Sequence, residues 1–339
     1  MIRSPYAVLC AAIAIGLSAR AETVTFVWHN GLVATQPYNS GQFLPGVDKS
    51  INDGGLVAGS IQDPATSLRT AATWNGLNSN SLPPLAGFPE SVANSINNAG
   101  IVVGGSTKAG SIQPTAWVNG SSVDLGILPG ISGPFGVVGG LANTLNESGQ
   151  IVGFQYSNSG VIPLLWQNGV PTELSKLRDG DSAEARDINA SGTVVGYSGS
   201  QPASWQNGVV SAIPGCSSGN AYALNDLGQA VGYCGSDAVV WDLDGMKIIG
   251  PDIALGIDNN GTVIGRTSDN PLASQTFVWT SSNGMQVLPG FVWSQPFAIS
   301  PNSGLIIGYG ELAPEPSAMA LAIAGGAILV LIGSRRKRA

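Results

Sequence analysis

Hydrophobic and polar positions along the chain fall into one short pattern that recurs seven times. An aliphatic residue precedes a small polar one. Turn-type residues then lead to a glycine, and a β-branched run ends in a second glycine. Residues 51–59 read INDGGLVAG, 96–104 INNAGIVVG, 145–153 LNESGQIVG and 188–196 INASGTVVG. Residues 224–232 read LNDLGQAVG, 257–265 IDNNGTVIG and 299–308 ISPNSGLIIG, the last one residue longer. The polar openers are Asn52, Asn97, Asn146, Asn189, Asn225, Asp258 and Ser300. Each carries a side-chain oxygen that can accept a hydrogen bond from the backbone two residues on. The glycine that closes each turn can take φ > 0, as the end of a short hairpin loop often requires. The Val/Ile run favours a strand. Its apolar residues are consecutive rather than alternating, which predicts burial on both faces. The final glycine leaves room for something bulky to lie against that strand.

A second half-repeat supplies a bulky residue. It is a short strand ending in Trp28, Trp74, Trp117, Trp166, Trp205, Trp241 or Trp279, followed by a glycine-containing turn. Asn-Gly in most of these turns is a hairpin signal. Each unit therefore has two hairpins and four strands, and the units end near Leu-Pro-Gly or a variant, as at 128–130 and 288–290.

The two chain ends carry unmatched halves. Residues 25–28 (TFVW) are a Trp half-repeat with no turn motif before it, and the turn motif at 299–308 has no Trp half-repeat after it. Residues 276–279 repeat TFVW. The halves complete one unit if the first strands close a ring, which covers edges that an open solenoid would leave exposed. Turn glycines are 33 to 49 residues apart, a spacing that suits four-stranded propeller blades. The predicted fold is all-β: a seven-bladed β-propeller over residues 22–310, closed by its N-terminal strands. Longer units carry insertions at 106–113 and 130–139, expected as exposed loops.

The termini differ from this body. Residues 1–21 have Arg3, an apolar run and Ala19-Arg20-Ala21, which predicts a secretory signal peptide and signal peptidase as a partner in export. Cys10 sits before most of that apolar run, too early for a lipoprotein cysteine. Residues 311–339 contain Pro314-Glu315-Pro316, an uncharged stretch at 317–334 and then Arg335, Arg336, Lys337 and Arg338. Eighteen helical residues would span about 27 Å, enough for a hydrocarbon core, and the basic cluster would stay cytoplasmic.

Charge narrows the partners. The formal net charge is −7, and residues 22–311 hold 8 basic against 20 acidic residues. Nucleic acid and anionic membrane surfaces are not expected partners of the body. Cys216 and Cys234 flank the hairpin at 225–228. An even pair in an exported chain predicts a disulfide, with two free buried thiols as the alternative. Pairing across the hairpin puts Cys234 near Gly219, so Cys216 must curl back.

Candidate chemistry is sparse. His29 is the sole histidine, beside a predicted turn, so a Ser-His-Asp triad would depend on it. Zinc needs several His or Cys ligands, which are absent. The densest acidic patch, Asp179, Asp181, Glu184 and Asp187, lacks the spacing of a hand-type calcium loop and reads as a solvated loop. No metal or cofactor is predicted. Seven of the eight tryptophans hold the repeat position and read as core. Trp293 lies outside it and is the candidate exposed aromatic ligand contact.

The paired turn and Trp-x-x-Gly half-repeats resemble the HAF-type extracellular repeat family over nearly all of 22–310. The family's His-Ala-Phe tripeptide is degenerate here: 275–277 read Gln-Thr-Phe and 201–203 Gln-Pro-Ala. The tail resembles a PEP-CTERM sorting signal. That resemblance implies an exopolysaccharide-producing Gram-negative source. It also implies an exosortase that cuts near Pro314, Glu315 and Pro316 and releases a transiently membrane-anchored protein to the cell surface or matrix. The expected function is a non-catalytic surface or matrix protein that presents its propeller to exopolysaccharide or another protein. The alternative is a glycan-active enzyme with carboxylates from several blades converging at the central channel.

Overall fold

Strand pairing follows the repeat. In the computed structural model, which describes residues 23–29, 32–37, 44–45, 50–76, 78–270 and 273–313, the strands form five four-stranded sheets and one of eight. The eight-stranded sheet is two antiparallel four-strand sets, 90–124 and 138–173, joined by a short parallel pairing of Val138 with Ser111 and Gly139 with Ile112. The other sets span 44–82, 183–212, 219–251 and 253–287, and a last one combines 23–37 with 291–312. In that last set Thr23–His29 pairs antiparallel with Ile306–Leu312, Phe26 opposite Gly308 and Trp28 opposite Ile306. The fold is all-β, with the repeated four-stranded sheets of a β-propeller. Among the described residues the single helical turn is the 3-10 segment Pro134–Gly136.

The predicted signal peptide lies outside the described residues. So do Pro314, Glu315, Pro316, the apolar stretch 317–334 and the basic residues Arg335, Arg336, Lys337 and Arg338. Among the described residues no helix is long and apolar enough to cross a membrane. Thr23–Leu312 form one compact unit.

Cores form between neighbouring sets. Val152 and Leu174 of one set pack with Ile188, Val194, Ala203 and Trp205 of the next. Ile51 and Val57 near the N-terminus pack with Ala298 and Ile307 near the C-terminus. From the set that begins at Glu90 to the one that begins at Phe291, the first strand of each set touches the first strand of the next, as Ala183–Ile188 does with Gly219–Leu224. The first strands therefore line the inner side of the assembly.

The second glycine of the motif has a different role from the one expected. Its neighbour is main chain rather than a bulky side chain. A Cβ on Gly196 would stand 1.9 Å from the Glu184 carbonyl oxygen, and one on Gly153 2.0 Å from that of Leu141. The reason is a β-bulge on the first strand of nearly every set, where the register slips between Ala185 and Asp187, Ala142 and Thr144, or Ala221 and Ala223. The bulge swings a carbonyl towards the partner strand, and only glycine leaves space for it. Phe rings do join the contact at Gly265 and Gly308.

The insertions are also more ordered than expected. Residues 106–113 belong to the paired strands Val102–Lys108 and Ser111–Val118. The second insertion, 130–139, folds back on them through its parallel pairing.

Cys216 and Cys234 are joined by a disulfide, Cα to Cα 5.7 Å. Gly219 stands opposite Cys234 in the ladder, and a Cβ there would come 2.8 Å from Cys216 Sγ. Cys216 thus curls over a residue without a side chain. Replacing both cysteines by alanine should lower stability by about 3 kcal/mol on the chain-entropy account, read as a lower denaturant midpoint. Two alkylatable thiols in the folded protein, or an unchanged midpoint, would contradict this.

Candidate functional site

The inner strands have two ends, and the residues at each end differ in kind. The turn motifs gather at one end. Asn189 is buried, and its Oδ1 accepts from the backbone N–H of Ser191 and Thr193 at 3.1 and 3.0 Å, as an Asx-type turn requires. Its Nδ2 then donates to the carbonyl of Asn225 in the next turn, 3.2 Å away. The same hand-over links Asn52 to Asn97, Asn97 to Asn146, Asn146 to Asn189 and Asn225 to Asp258. Asparagine serves because one side chain both accepts and donates. Asp258 cannot donate, and there Asn259 takes over, its backbone N–H bonding Pro301 O at 2.7 Å and its Nδ2 bonding Asn302 Oδ1 at 2.8 Å. Asn302 in turn donates its backbone N–H and its Nδ2 to Asp53 at 2.7 and 2.8 Å. Partial burial pushes the Asp53 carboxyl up, but the bonds from Asn302, Asn98 and Ser303 outweigh it and hold the group below the usual carboxylate range.

Among these turns is a cavity of about 50 Å³, lined by residues of six sets, Asn97, Asn146, Ala190, Asn225, Asn259 and Asn302 among them. It has room for a few waters but is far below the several hundred Å³ of a ligand pocket. This end suits a structural role better than a substrate.

The opposite end lies about 17 Å along the strand, five residues back from Asn189 at the usual rise. Glu184 and the bulge residue Arg186 sit here, their side chains bridged at 3.2 Å. The guanidinium lies 4.5 Å from the ring centre of Tyr222, the bulge residue of the next set, and 5.7 Å from that of Tyr197. Tyr222 faces Tyr233 at 6.0 Å. Asn143, the bulge residue of the preceding set, donates to Glu184 Oε1 at 2.9 Å. Two tyrosines feel this carboxylate. Burial, and then the Glu184 charge, pushes the phenol of Tyr156 up. Tyr197 rises for the same two reasons, partly opposed by Ser182 and Arg186. Except for Asn143, these residues are half-buried. They form a continuous aromatic and polar strip on the inner wall. Such a strip can stack a planar or ring-shaped ligand and hydrogen-bond its rim. Glu184 is held by Arg186 and Asn143, which suits recognition better than proton transfer.

This strip was not singled out from the sequence, although a signal exists. An aromatic residue directly follows the second glycine at Phe154, Tyr197, Tyr233 and Tyr309, and the bulge residue lies three places before the turn opener at Asn94, Asn143, Arg186, Tyr222, Leu255 and Phe297.

Other candidates need correction. Trp293 is buried rather than exposed, at 9 % accessibility. Its indole N–H donates to Glu311 at 2.9 Å, and its ring meets Tyr309 edge-on at 5.4 Å. The acidic patch is not one solvated loop. Asp187 is fully buried and accepts from the N–H of Ile188 and of Leu224 in the next set, both at 2.7 Å. Among the described residues no group of three His, Cys, Asp or Glu is placed to hold a metal. The repeat tryptophans divide: Trp117, Trp166, Trp205 and Trp241 are core, whereas Trp28, Trp74 and Trp279 are half-buried. His29 ends the first strand beside Trp28, at a cleft on the turn side.

No family model matches the chain, and no curated protein matches it. Among solved structures, it is similar to one described as a TolB from Agrobacterium tumefaciens, at 9 % identity and TM-score 0.43, over 87 % of this chain and all of that one. It is similar to TolB from Acinetobacter baumannii at 11 % identity and TM-score 0.39, over 77 % and 65 % of the two chains. It is also similar to AofleA from Arthrobotrys oligospora at 12 % and 0.39, over 86 % and 94 %.

Proposed function

We propose that the chain is a non-catalytic, exported surface or matrix protein whose seven-bladed, closed propeller binds a glycan or a protein at the strip of Arg186, Tyr197, Tyr222 and Tyr233. Closure is supported by the shared sheet of the two chain ends and by the bonds from Asn302 to Asp53. A count of seven blades is supported by reading the eight-stranded sheet as two four-strand sets. The observation that carries the binding reading is the arginine over Tyr222, flanked by two more tyrosines on the inner wall and left half-exposed. Export rests on the sequence of the two ends, with signal peptidase and an exosortase as processing partners and the membrane held only until the tail is cut near Pro314 to Pro316.

The test uses protein from the native host's envelope and medium. Intact mass should give a mature start near Glu22 and an end near Pro314 to Pro316. A glycan array should then show binding that falls about tenfold on Tyr222→Ala, the loss of one stacking contact with its neighbours. Turnover of a bound glycan, abolished by Glu184→Gln, would overturn the non-catalytic reading in favour of a glycan-active enzyme.

A further inference from the structure

Three of the seven repeat tryptophans seal the seam between two sets. Trp117 donates its indole N–H to Pro83 O at 2.7 Å, Trp166 to Gly126 O at 2.9 Å and Trp205 to Ser175 O at 2.6 Å. Each of these acceptors lies in the segment that ends the preceding set, and each ring is 1 % exposed. The corresponding segment for Trp28 is Leu288-Pro289. Among the described residues the seam is open here. Trp28 is half-buried, and among the described residues its indole N–H has no acceptor. Beside it is a cleft of about 460 Å³ lined by Trp28, His29, Thr262, Asn283, Gln286 and Pro289, among others.

We infer that this cleft binds a neutral sugar residue, with Trp28 as its platform. Its volume is in the range of small-molecule sites. Its lining is rich in hydroxyl and amide groups, which both donate and accept and so match the hydroxyls of a sugar. Among the described residues the side chains of Thr262, Asn283 and Gln286 make no hydrogen bond to the rest of the protein, so they can turn to a ligand. Among the described residues the only carboxylate on the wall is Asp258. Its Oδ1 already accepts from the N–H of Asn260 and Thr262 at 2.9 and 2.7 Å. That carboxylate disfavours an anion and is engaged by the turn amides, and a wholly apolar ligand would strip water from the amide side chains without replacing it. An indole face beside such groups suits the apolar face of a pyranose, and the indole N–H suits one of its oxygens. This site is on the turn side, away from the Arg186 strip, and does not depend on that strip binding anything.

The test is saturation-transfer NMR on the full chain with millimolar methyl glycosides of glucose, galactose, mannose, fucose and N-acetylglucosamine. At least one should receive saturation. Trp28→Ala and Gln286→Ala should each weaken its binding by about tenfold, a factor fitting one lost stacking or hydrogen-bonding contact. Gln286 is exposed, so its variant keeps the proposal testable if Trp28→Ala fails to fold. No saturation of any glycoside would overturn the inference, as would binding indifferent to both variants. Binding lost on Arg186→Ala but kept in Gln286→Ala would move the ligand to the inner strip and equally overturn it.

Discussion

Gly196→Ala should lower the stability of the folded body by about 3 kcal/mol, at the upper end of what overpacking costs. The added methyl carbon would stand 1.9 Å from the Glu184 carbonyl oxygen and 3.2 Å from the Arg186 amide nitrogen. Both neighbours are main chain, so no rotamer change can relieve the clash. The bulge that carries Arg186 would have to reform, or the two strands would have to part. Gly149→Ala is the matched control. It lies in a turn at φ +76° with nothing within 4 Å of its would-be Cβ. It should cost only the left-handed penalty of an L-residue, about 1–2 kcal/mol. Thermal melts of the two variants should therefore separate by several degrees, with Gly196→Ala the lower. Equal melting points would show that the bulge adapts freely, and that the glycine is there for another reason. A second readout is local. Because the bulge places Arg186 over Tyr222, the variant should also lose binding at the strip even where it remains folded.

The contrast between these two glycines shows which parts of the fold are legible in the sequence. Gly149 is conspicuous because its turn repeats a local chemistry: a side-chain oxygen, a short loop and a positive φ. Local rules of this kind gave the hairpins and the four-strand units, and the split repeat gave the pairing of the two chain ends. The pairing of Cys216 with Cys234 across one hairpin was also legible, down to Gly219 opposite Cys234. The role of Gly196 was not, because what crowds it is a carbonyl brought close by a bulge, and bulges leave no clear mark in one strand's residue pattern. The candidate site was hidden for the same reason. Asn143, Arg186 and Tyr222 are dissimilar residues in three different units. They become neighbours because each occupies the bulge position, from which Asn143 reaches Glu184 and Arg186 reaches Tyr222 in the next unit. Trp293 misled in the opposite way. An aromatic outside the repeat looked exposed, but its strand belongs to the sheet that also holds Thr23–His29, and Glu311 satisfies its indole N–H. Asp187 looked like part of a solvated acidic loop until the inner strands met and gave it the Leu224 N–H to accept from.

The second large effect concerns the junction of the chain ends. Phe26→Ala should cost about 4 kcal/mol, the usual loss for emptying a fully buried Phe site. Phe26 is 2 % exposed, its ring centre is 4.7 Å from that of Phe291, and it covers Gly308 on the neighbouring strand. Those contacts tie the first described strand to the last, across nearly the whole sequence. Phe277→Ala is the internal comparison, because Phe277 holds the same place in the second TFVW tetrapeptide, is fully buried and covers Gly265. The two variants should lose similar stability but open at different places. Hydrogen exchange in Phe26→Ala should quicken first in 23–29 and 306–312, since Phe26 sits in the ladder that pairs Thr23–His29 with Ile306–Leu312. In Phe277→Ala the faster exchange should centre on 263–266 and 276–280, with the junction still protected. If both variants loosen the same strands first, the chain-end pairing is not an independent seam, and the closed-ring reading loses its main mechanical support. If Phe26→Ala leaves 306–312 fully protected, the N-terminal strand does not hold the ring shut.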